Sequence, residues 1–328
     1  MKGHTWARTA TLIALAAVSS SAWAEGLLTL KSENDIFAHG DDGHYTNGIE
    51  LDWSFEPSRD HWTRSLADAL PGWSAAALDG ASYRFGQQIY TPNDINERNL
   101  IADDRPYAGV LYAGLSLFDD EQLSGWRRTT GLYFDVGLVG PGAGGRTVQK
   151  NFHHLIDSDD PKGWHNQLNN EPFVNVAYET AWWKQGRFGS LETEYGPSVG
   201  FALGNLYTYA ASGLGLRLGQ GLDKSFGIPA VSPSQGSQVF FRENSGFNWY
   251  VFANLEGRLM AYNMLLDGNT FEDSHSVDRK PWVGDAQLGL ALSWDRWLLT
   301  YSAVWRTHEF ESQDESDQFG SITLSTWL

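Results

Sequence analysis

The polar residues whose types could do chemistry together are Asn34-Asp35, Asp42 with Tyr45-Thr46-Asn47-Gly48, Asp103-Asp104-Arg105-Pro106-Tyr107, and Gln149 with His153. Side-chain oxygens of Asn and Asp are hard donors, suited to Ca²⁺ rather than to a soft metal. Histidine titrates near neutrality and can serve as a general base. Gln149 and His153 are four residues apart, so on a helix they share one face. Together these groups permit metal-assisted hydrolysis of an ester, in which the base activates a water and the cation stabilises the oxyanion. Each piece also has a plain structural reading. Asn34-Asp35 can end a strand in a turn, and Tyr45-Thr46-Asn47-Gly48 can be a strand start after a polar turn. Arg105 before Pro106 can be an ordinary rim charge, and His153 beside His154 a surface pair. The sequence has no Gly-x-Ser-x-Gly, no His-Glu-x-x-His and no Walker loop, so serine hydrolases, zincins and nucleotide enzymes lack their motifs.

The elements that must position these residues are strands. From Leu27 onward the dominant period is two, as in Leu132-Tyr133-Phe134-Asp135-Val136-Gly137-Leu138, which indicates strands with one apolar and one polar or small face. About twelve such runs occur, at 27–34, 45–55, 82–91, 107–118, 125–139, 172–184, 187–201, 205–219, 247–262, 282–294, 297–309 and 317–328. Most exceed the ~5 to 6 residues common in globular strands and approach the roughly ten that a tilted bilayer-spanning strand needs. Trp53, Trp126, Trp182, Trp183, Trp249, Trp282, Trp294, Trp297, Trp305 and Trp327 lie in or at the ends of these runs, where interfacial girdles sit. A soluble sandwich with an aromatic core is the alternative. The Gly, Ala, Ser, Thr and charged residues on alternate positions argue instead for a polar interior behind an apolar outer face. The expected architecture is therefore all-β, a twelve-stranded antiparallel transmembrane β-barrel. With both termini periplasmic, all the residues named above fall at the extracellular ends of strands 1 to 5 or on the loop after strand 5. In that loop Val148, Phe152, Leu155 and Ile156 have helical spacing behind the glycine-rich hinge 140–145, which predicts a short extracellular helix. Short periplasmic turns are expected at 184–187 and at Asp295-Arg296. Two periplasmic connections are too long for such turns: 56–81, where 61–70 reads as an amphipathic helix, and 220–246, which either hides a further strand or has no pattern to explain it.

Residues 1–24 read as a signal peptide: Lys2 and Arg8, an apolar run from Thr11 to Val18, and Ala22-Trp23-Ala24 before the cleavage point. The exported barrel domain is then 25–328. The chain has no cysteine, which excludes disulfides and thiolate sites, and its net charge of −17 disfavours a nucleic-acid partner. No stretch approaches the ~20 apolar residues of a spanning helix. A non-enzymatic barrel, a pore or an adhesin, is the competing functional class.

Several blocks in one order closely resemble the outer-membrane lipid A 3'-O-deacylase family. They are Ser32-Glu33-Asn34-Asp35-Ile36-Phe37, Asp42 with His44-Tyr45-Thr46-Asn47-Gly48, Gln88 to Asp94, Asp104-Arg105-Pro106-Tyr107-Ala108-Gly109, Gly140-Pro141, Val148-Gln149 with His153, and Gly163-Trp164-His165-Asn166-Gln167. The resemblance implies an outer-membrane location, a monomer, a lipid A or lipopolysaccharide substrate, and calcium-dependent removal of the 3' ester-linked acyloxyacyl chain. An outer-membrane phospholipase is a neighbouring alternative. By the resemblance Asn34 and Asp35 are metal-associated and catalytic, Thr46 and Gln149 belong to the active site, and His153 activates water. Arg105 and Tyr107 fall to the substrate's polar head. Asp104 stands where some members carry lysine, and Asp157, Asp159 and Asp160 remain open as partners that orient His153 or complete the metal shell.

Overall fold

The computed structural model describes residues 25–38, 44–232, 241–242 and 246–328; the expected signal peptide and Asp42 lie outside them. Its strands are β1 (Leu27–Asn34), β2 (Tyr45–Phe55), β3 (Gly80–Tyr90), β4 (Ala108–Leu123), β5 (Trp126–Val139), β6 (Glu171–Phe188), β7 (Leu191–Gly204), β8 (Tyr207–Gly219), β9 (Phe247–Asn263), β10 (Trp282–Trp294), β11 (Trp297–Arg306) and β12 (Asp317–Trp327). Each pairs antiparallel with its neighbours in sequence, and β1 closes on β12 from Leu27↔Trp327 to Asn34↔Gly320. The expected twelve-stranded barrel is what forms, and no further wall strand is present among the described residues of 220–246. β6 runs past the turn expected at 184–187. The ladder does not need apolar side chains, so Lys184 still pairs with Tyr195, and the chain reverses only after Phe188, where Gly189 adopts a φ of +62° that other residues resist.

The alternation fixes which face is which. Leu30, Leu51, Phe85, Val174, Leu203, Leu214 and Leu255 are exposed, while Lys31, Glu50, Arg84, Arg217, Arg258 and Arg306 on the alternate positions are buried in the lumen. An apolar outside around a charged inside suits a bilayer and rules out a sandwich core. Inside, the charges pair: Lys31 lies 3.7 Å from Glu33 and from Glu50, Arg84 2.6 Å from Asp135, and Arg306 2.8 Å from Asp285. That pairing is required, since a buried charge left alone costs several kcal/mol. Trp126, Trp282, Trp297 and Trp305 are outward as expected, but Trp183 points into the lumen and donates to Thr129; its odd position on β6 places it there, so it does not belong to a girdle.

Both long periplasmic connections have structural roles. α1 (Trp62–Ala69) covers the outer wall at the periplasmic end, with Ala67 and Leu66 against Phe55, Leu78 and Leu117. The segment after β8 instead turns into the barrel. Phe226 packs edge-on against Phe118 near the periplasmic mouth, Pro229 accepts a hydrogen bond from Gln287, and Ser232 reaches Tyr45, Gln88 and Arg306 near the other end. About seven extended residues span roughly 20 Å, enough to climb most of the lumen. Ile228, Val231 and Ser232 are buried there as a plug.

Candidate active site

The outward faces of β1 to β4 carry the site. Asn34, the last residue of β1, caps the 3-10 turn Asp35–Phe37: its Oδ1 accepts from the Ile36 N–H at 2.9 Å, and its Nδ2 donates to the Thr46 carbonyl at 2.7 Å. Asp35 also accepts from the Ile36 N–H, at 2.8 Å, and is buried. Even positions of β2, such as Glu50 and Asp52, face the lumen, and strict alternation would send Thr46 there too. A register shift between Tyr45 and Asn47 turns it outward instead, where its hydroxyl lies 2.9 Å from that of Thr91.

A helix then covers the β3–β4 part of this wall. α2 (Gly145–Ile156) begins after Gly140 and Gly144, both at positive φ. Gly145 sits directly against Gly109 of β4, where a Cβ on either glycine would press on the other's backbone, and Gln87 of β3 donates to the Ala143 carbonyl at 2.6 Å. Gln87, Ile89 and Gly109 continue the outward row of Tyr83, Phe85 and Ala113, so α2 lies on the outside of the barrel. Val148 packs on Ile89, Tyr107 and Trp164, and the Tyr107 and Trp164 rings are 5.0 Å apart.

Beneath α2 are the predicted pair. Trp164 Nε1, which can only donate, donates to Gln149 Oε1 at 2.7 Å. The buried Gln149 Nε2 therefore has its protons turned elsewhere, with no hydrogen-bond partner among the described residues. α2 ends with Asp157 at a φ of +59°, and the N–H groups of Asp157 and Ser158 both return to the His153 carbonyl. This turn brings the Asp159 carbonyl within 2.6 Å of His153 Nδ1. A carbonyl only accepts, so Nδ1 carries a proton, and in the neutral ring Nε2 is the nitrogen with the lone pair. Of the three aspartates left open by the sequence, Asp159 thus orients His153 through its main chain. Asp157 is a helix cap, and the Asp160 carboxylate pairs with His154 at 2.9 Å and Lys150 at 3.4 Å.

Arg105 stands apart from this group. Its guanidinium lies over the lumen-side ring of Tyr90, 4.6 Å from the centroid, with Nη1 3.4 Å from Glu309. Its buried Nε and Nη2 have no hydrogen-bond partner among the described residues. Asp104 accepts from the N–H groups of Asn93 and Arg105 and lies 3.3 Å from His44, which is 2.6 Å from Asp317. Burial opposes charge on His44, but the hydrogen bonds to Asp104 and Asp317 prevail and raise its pKa to about 9. Asp104 is likewise held below its ordinary value: burial works against the carboxylate, and His44 and the N–H donors outweigh it. Sequence reasoning singled out neither His44 nor Thr91. Trp164 entered only within a motif, although a lone Trp beside a Gln-bearing helix was a usable signal.

Asn34, Asp35 and Thr46 present amide, carboxylate, hydroxyl and main-chain oxygens, a donor set that fits Ca²⁺ and not a soft metal. Among the described residues no group of three or more His, Cys, Asp or Glu is arranged for a metal, so a cation here would depend on amide and main-chain oxygens and on water.

Fold and site together define an outer-membrane β-barrel protein with a helix-covered polar site on its lipid-facing wall. The family model described as outer membrane protein LpxR matches residues 6–328, and the chain belongs to that family, the lipid A 3'-O-deacylases. Among solved structures, LpxR from Salmonella typhimurium is similar with a TM-score of 0.78 at 20% identity, covering 92% of this chain and 100% of that one. The beta domain of the Bordetella autotransporter BrkA has a TM-score of 0.47 at 9% identity, covering 93% and 99%. The translocator domain of NalP from Neisseria meningitidis has 0.42 at 6%, covering 94% and 89%. No curated protein matches the sequence.

Proposed function

We propose that this chain hydrolyses the 3' ester-linked acyloxyacyl chain of lipid A, with His153 as the general base. The observation that carries the reading is the position of His153. It is buried under α2 on the lipid-facing wall, with its tautomer set by the Asp159 carbonyl. A substrate held in the outer leaflet can reach that wall without leaving the membrane. Nε2 takes a proton from water as the water attacks the ester carbonyl, and returns it to the departing sugar oxygen. Gln149 Nε2, a buried donor with no hydrogen-bond partner among the described residues, is aimed to donate to the ester oxygen as it gains charge. Tyr107 and Trp164 wall the site and exclude water from the α2 side. Asn34 and Asp35, with Thr46, would hold a Ca²⁺ ion, whose chemistry when bound would be to stabilise developing negative charge.

Mass spectrometry of lipid A after incubation with the purified barrel in detergent, with Ca²⁺, tests this. The wild type is expected to release the 3' chain, and His153→Asn to lose roughly a thousandfold or more in rate. Chelation is expected to stop release and Ca²⁺ to restore it. Full activity of His153→Asn, or loss of a chain from phospholipid in place of lipid A, overturns the assignment. The lumen plug gives no support to the pore reading, because Ile228 to Ser232 occupy the space a solute would use.

A further inference from the structure

The outward site is built on a defect, and that defect is held from the other side of the wall. Thr46 and Asn47 are adjacent, yet both face the lipid side, because the register slips between Tyr45 and Asn47; the slip leaves Tyr45 facing the lumen. A bulge of this kind frees the chain from strict pairing, so something must fix its geometry. The Tyr45 side chain is fixed on every side. Its phenol donates to Glu33 Oε2 at 2.6 Å and lies 3.1 Å from the hydroxyl of Ser232 in the plug. Its ring packs edge-on to Phe319 at 5.1 Å and lies tilted on Tyr90 at 5.0 Å. Ser232 is anchored in turn by Gln88 at 2.8 Å, by its own N–H to Glu33 Oε1 at 3.3 Å, and by Arg306 at its carbonyl. Room for the phenol comes from Gly48: a Cβ there would overlap the Tyr45 hydroxyl. Gly48 is not at positive φ, so its lack of a side chain serves space and not backbone freedom.

Across the wall the same stretch does the opposite job. The Thr46 carbonyl takes the Asn34 amide at 2.7 Å, and its hydroxyl meets Thr91, the residue after Tyr90. Tyr45 and Tyr90 pack together inside, while Thr46 and Thr91 meet outside. Two residues in sequence on two strands therefore clamp the wall from both faces.

We propose that Tyr45 is a positioning residue: held from the lumen by Glu33 and Ser232, and seated over Gly48, it sets the bulge that aims Thr46 and, through the Thr46 carbonyl, Asn34. The plug thereby serves the outward site and is more than a seal. The inference rests on the deacylase reading for its kinetic readout, and a second readout is independent of it.

The experiment compares wild type, Tyr45→Phe, Ser232→Ala, Gly48→Ala and the double variant Tyr45→Phe/Gly48→Ala, each folded to the heat-modifiable barrel form. Tyr45→Phe is expected to lower kcat roughly ten- to a hundredfold with KM within about twofold, since misplacement of catalytic groups costs rate before binding. Ser232→Ala is expected to act in the same direction and less. Gly48→Ala is expected to fall at least as far as Tyr45→Phe, and the double variant to be no worse than Gly48→Ala, because the clashing oxygen is gone. In protein labelled at threonine methyls, the Thr46 and Thr91 signals should shift in Tyr45→Phe while Thr129 and Thr180, on β5 and β6, stay in place. A folded Tyr45→Phe with wild-type kcat and unmoved Thr46 and Thr91 signals overturns the proposal. So does a rate loss accompanied by a general shift of threonine signals, which marks loss of structure in place of positioning. If the wild type releases no acyl chain, the deacylase reading fails, and the Thr46 and Thr91 signals alone decide whether Tyr45 sets the bulge.

Discussion

Trp164 and the Asp159 carbonyl between them settle how two side chains present their polar atoms. The indole N–H can only donate and the carbonyl can only accept, so Gln149 must offer its NH₂ and His153 its bare Nε2 to the space under α2. Neither outcome follows from the residue types alone. Arg105 is the site candidate whose placement differs most from the family expectation, since it faces Tyr90 and Glu309 on the lumen side. Its Nε and Nη2, without a hydrogen-bond partner among the described residues, are suited to phosphate, as planar guanidinium donors are. Gripping a lipid A phosphate through these nitrogens is the role the family resemblance implies for it. If it plays that role, Arg105→Ala is expected to raise KM several-fold to tenfold with kcat little changed. If it only braces the rim, the same variant lowers the thermal midpoint and leaves KM alone. Steady-state kinetics beside a melting curve separates the two.

At the scale of the element, α2 is the decisive part, and its seat is a glycine-to-glycine contact. Gly109 on β4 and Gly145 at the start of α2 meet so closely that a Cβ on either would lie 3.1 Å from the other's backbone. Gly109→Val is expected to push α2 off the wall and cut deacylation by about a hundredfold or more, while the barrel ladder, which does not involve that side chain, keeps its folded mobility in gels. Retained activity would mean that α2 is not the cover of the site. The helix was readable in advance from the spacing of Val148, Phe152 and Leu155, and the strands from their period of two, because in a bilayer burial is periodic in a way sequence records directly. The bulge at Tyr45 was not readable. Alternation gives no warning of a one-residue slip, and the residues that demand it, Glu33 and Ser232, are distant in sequence. The plug was missed for a related reason: Ile228, Val231 and Ser232 sit among charges of the lumen wall, so they carry neither the strand nor the helix pattern.

On the whole molecule, the extracellular rim is tied where the barrel closes. His44, just before β2, meets Asp104 from the β3–β4 loop and Asp317 at the start of β12, with Gln313 3.3 Å away and the Phe310 ring 5.2 Å away. His275, from the β9–β10 connection, donates to the Asp104 carbonyl at 2.8 Å. Three loops therefore hang on one imidazolium, with Arg105 as the cation that opposes it. The His44 pKa is raised from 6.5 to about 9, so its contribution to stability is complete below pH 6.5 and is lost as pH rises through about 9. Asp104 is depressed from 3.8, so its contribution is present above that value and is lost as pH falls below it. The latch should thus hold from about pH 4 to about pH 9. Hydrogen exchange of segments 91–107 and 307–316 is expected to stay slow at pH 7 and to quicken, beyond the ordinary base-catalysed rise, as pH passes 9. His44→Gln is expected to remove that extra step, because glutamine can hydrogen-bond to one carboxylate without titrating. An extra opening already seen between pH 6 and 7 would mean that His44 keeps an ordinary pKa and that the two aspartates do not govern the rim.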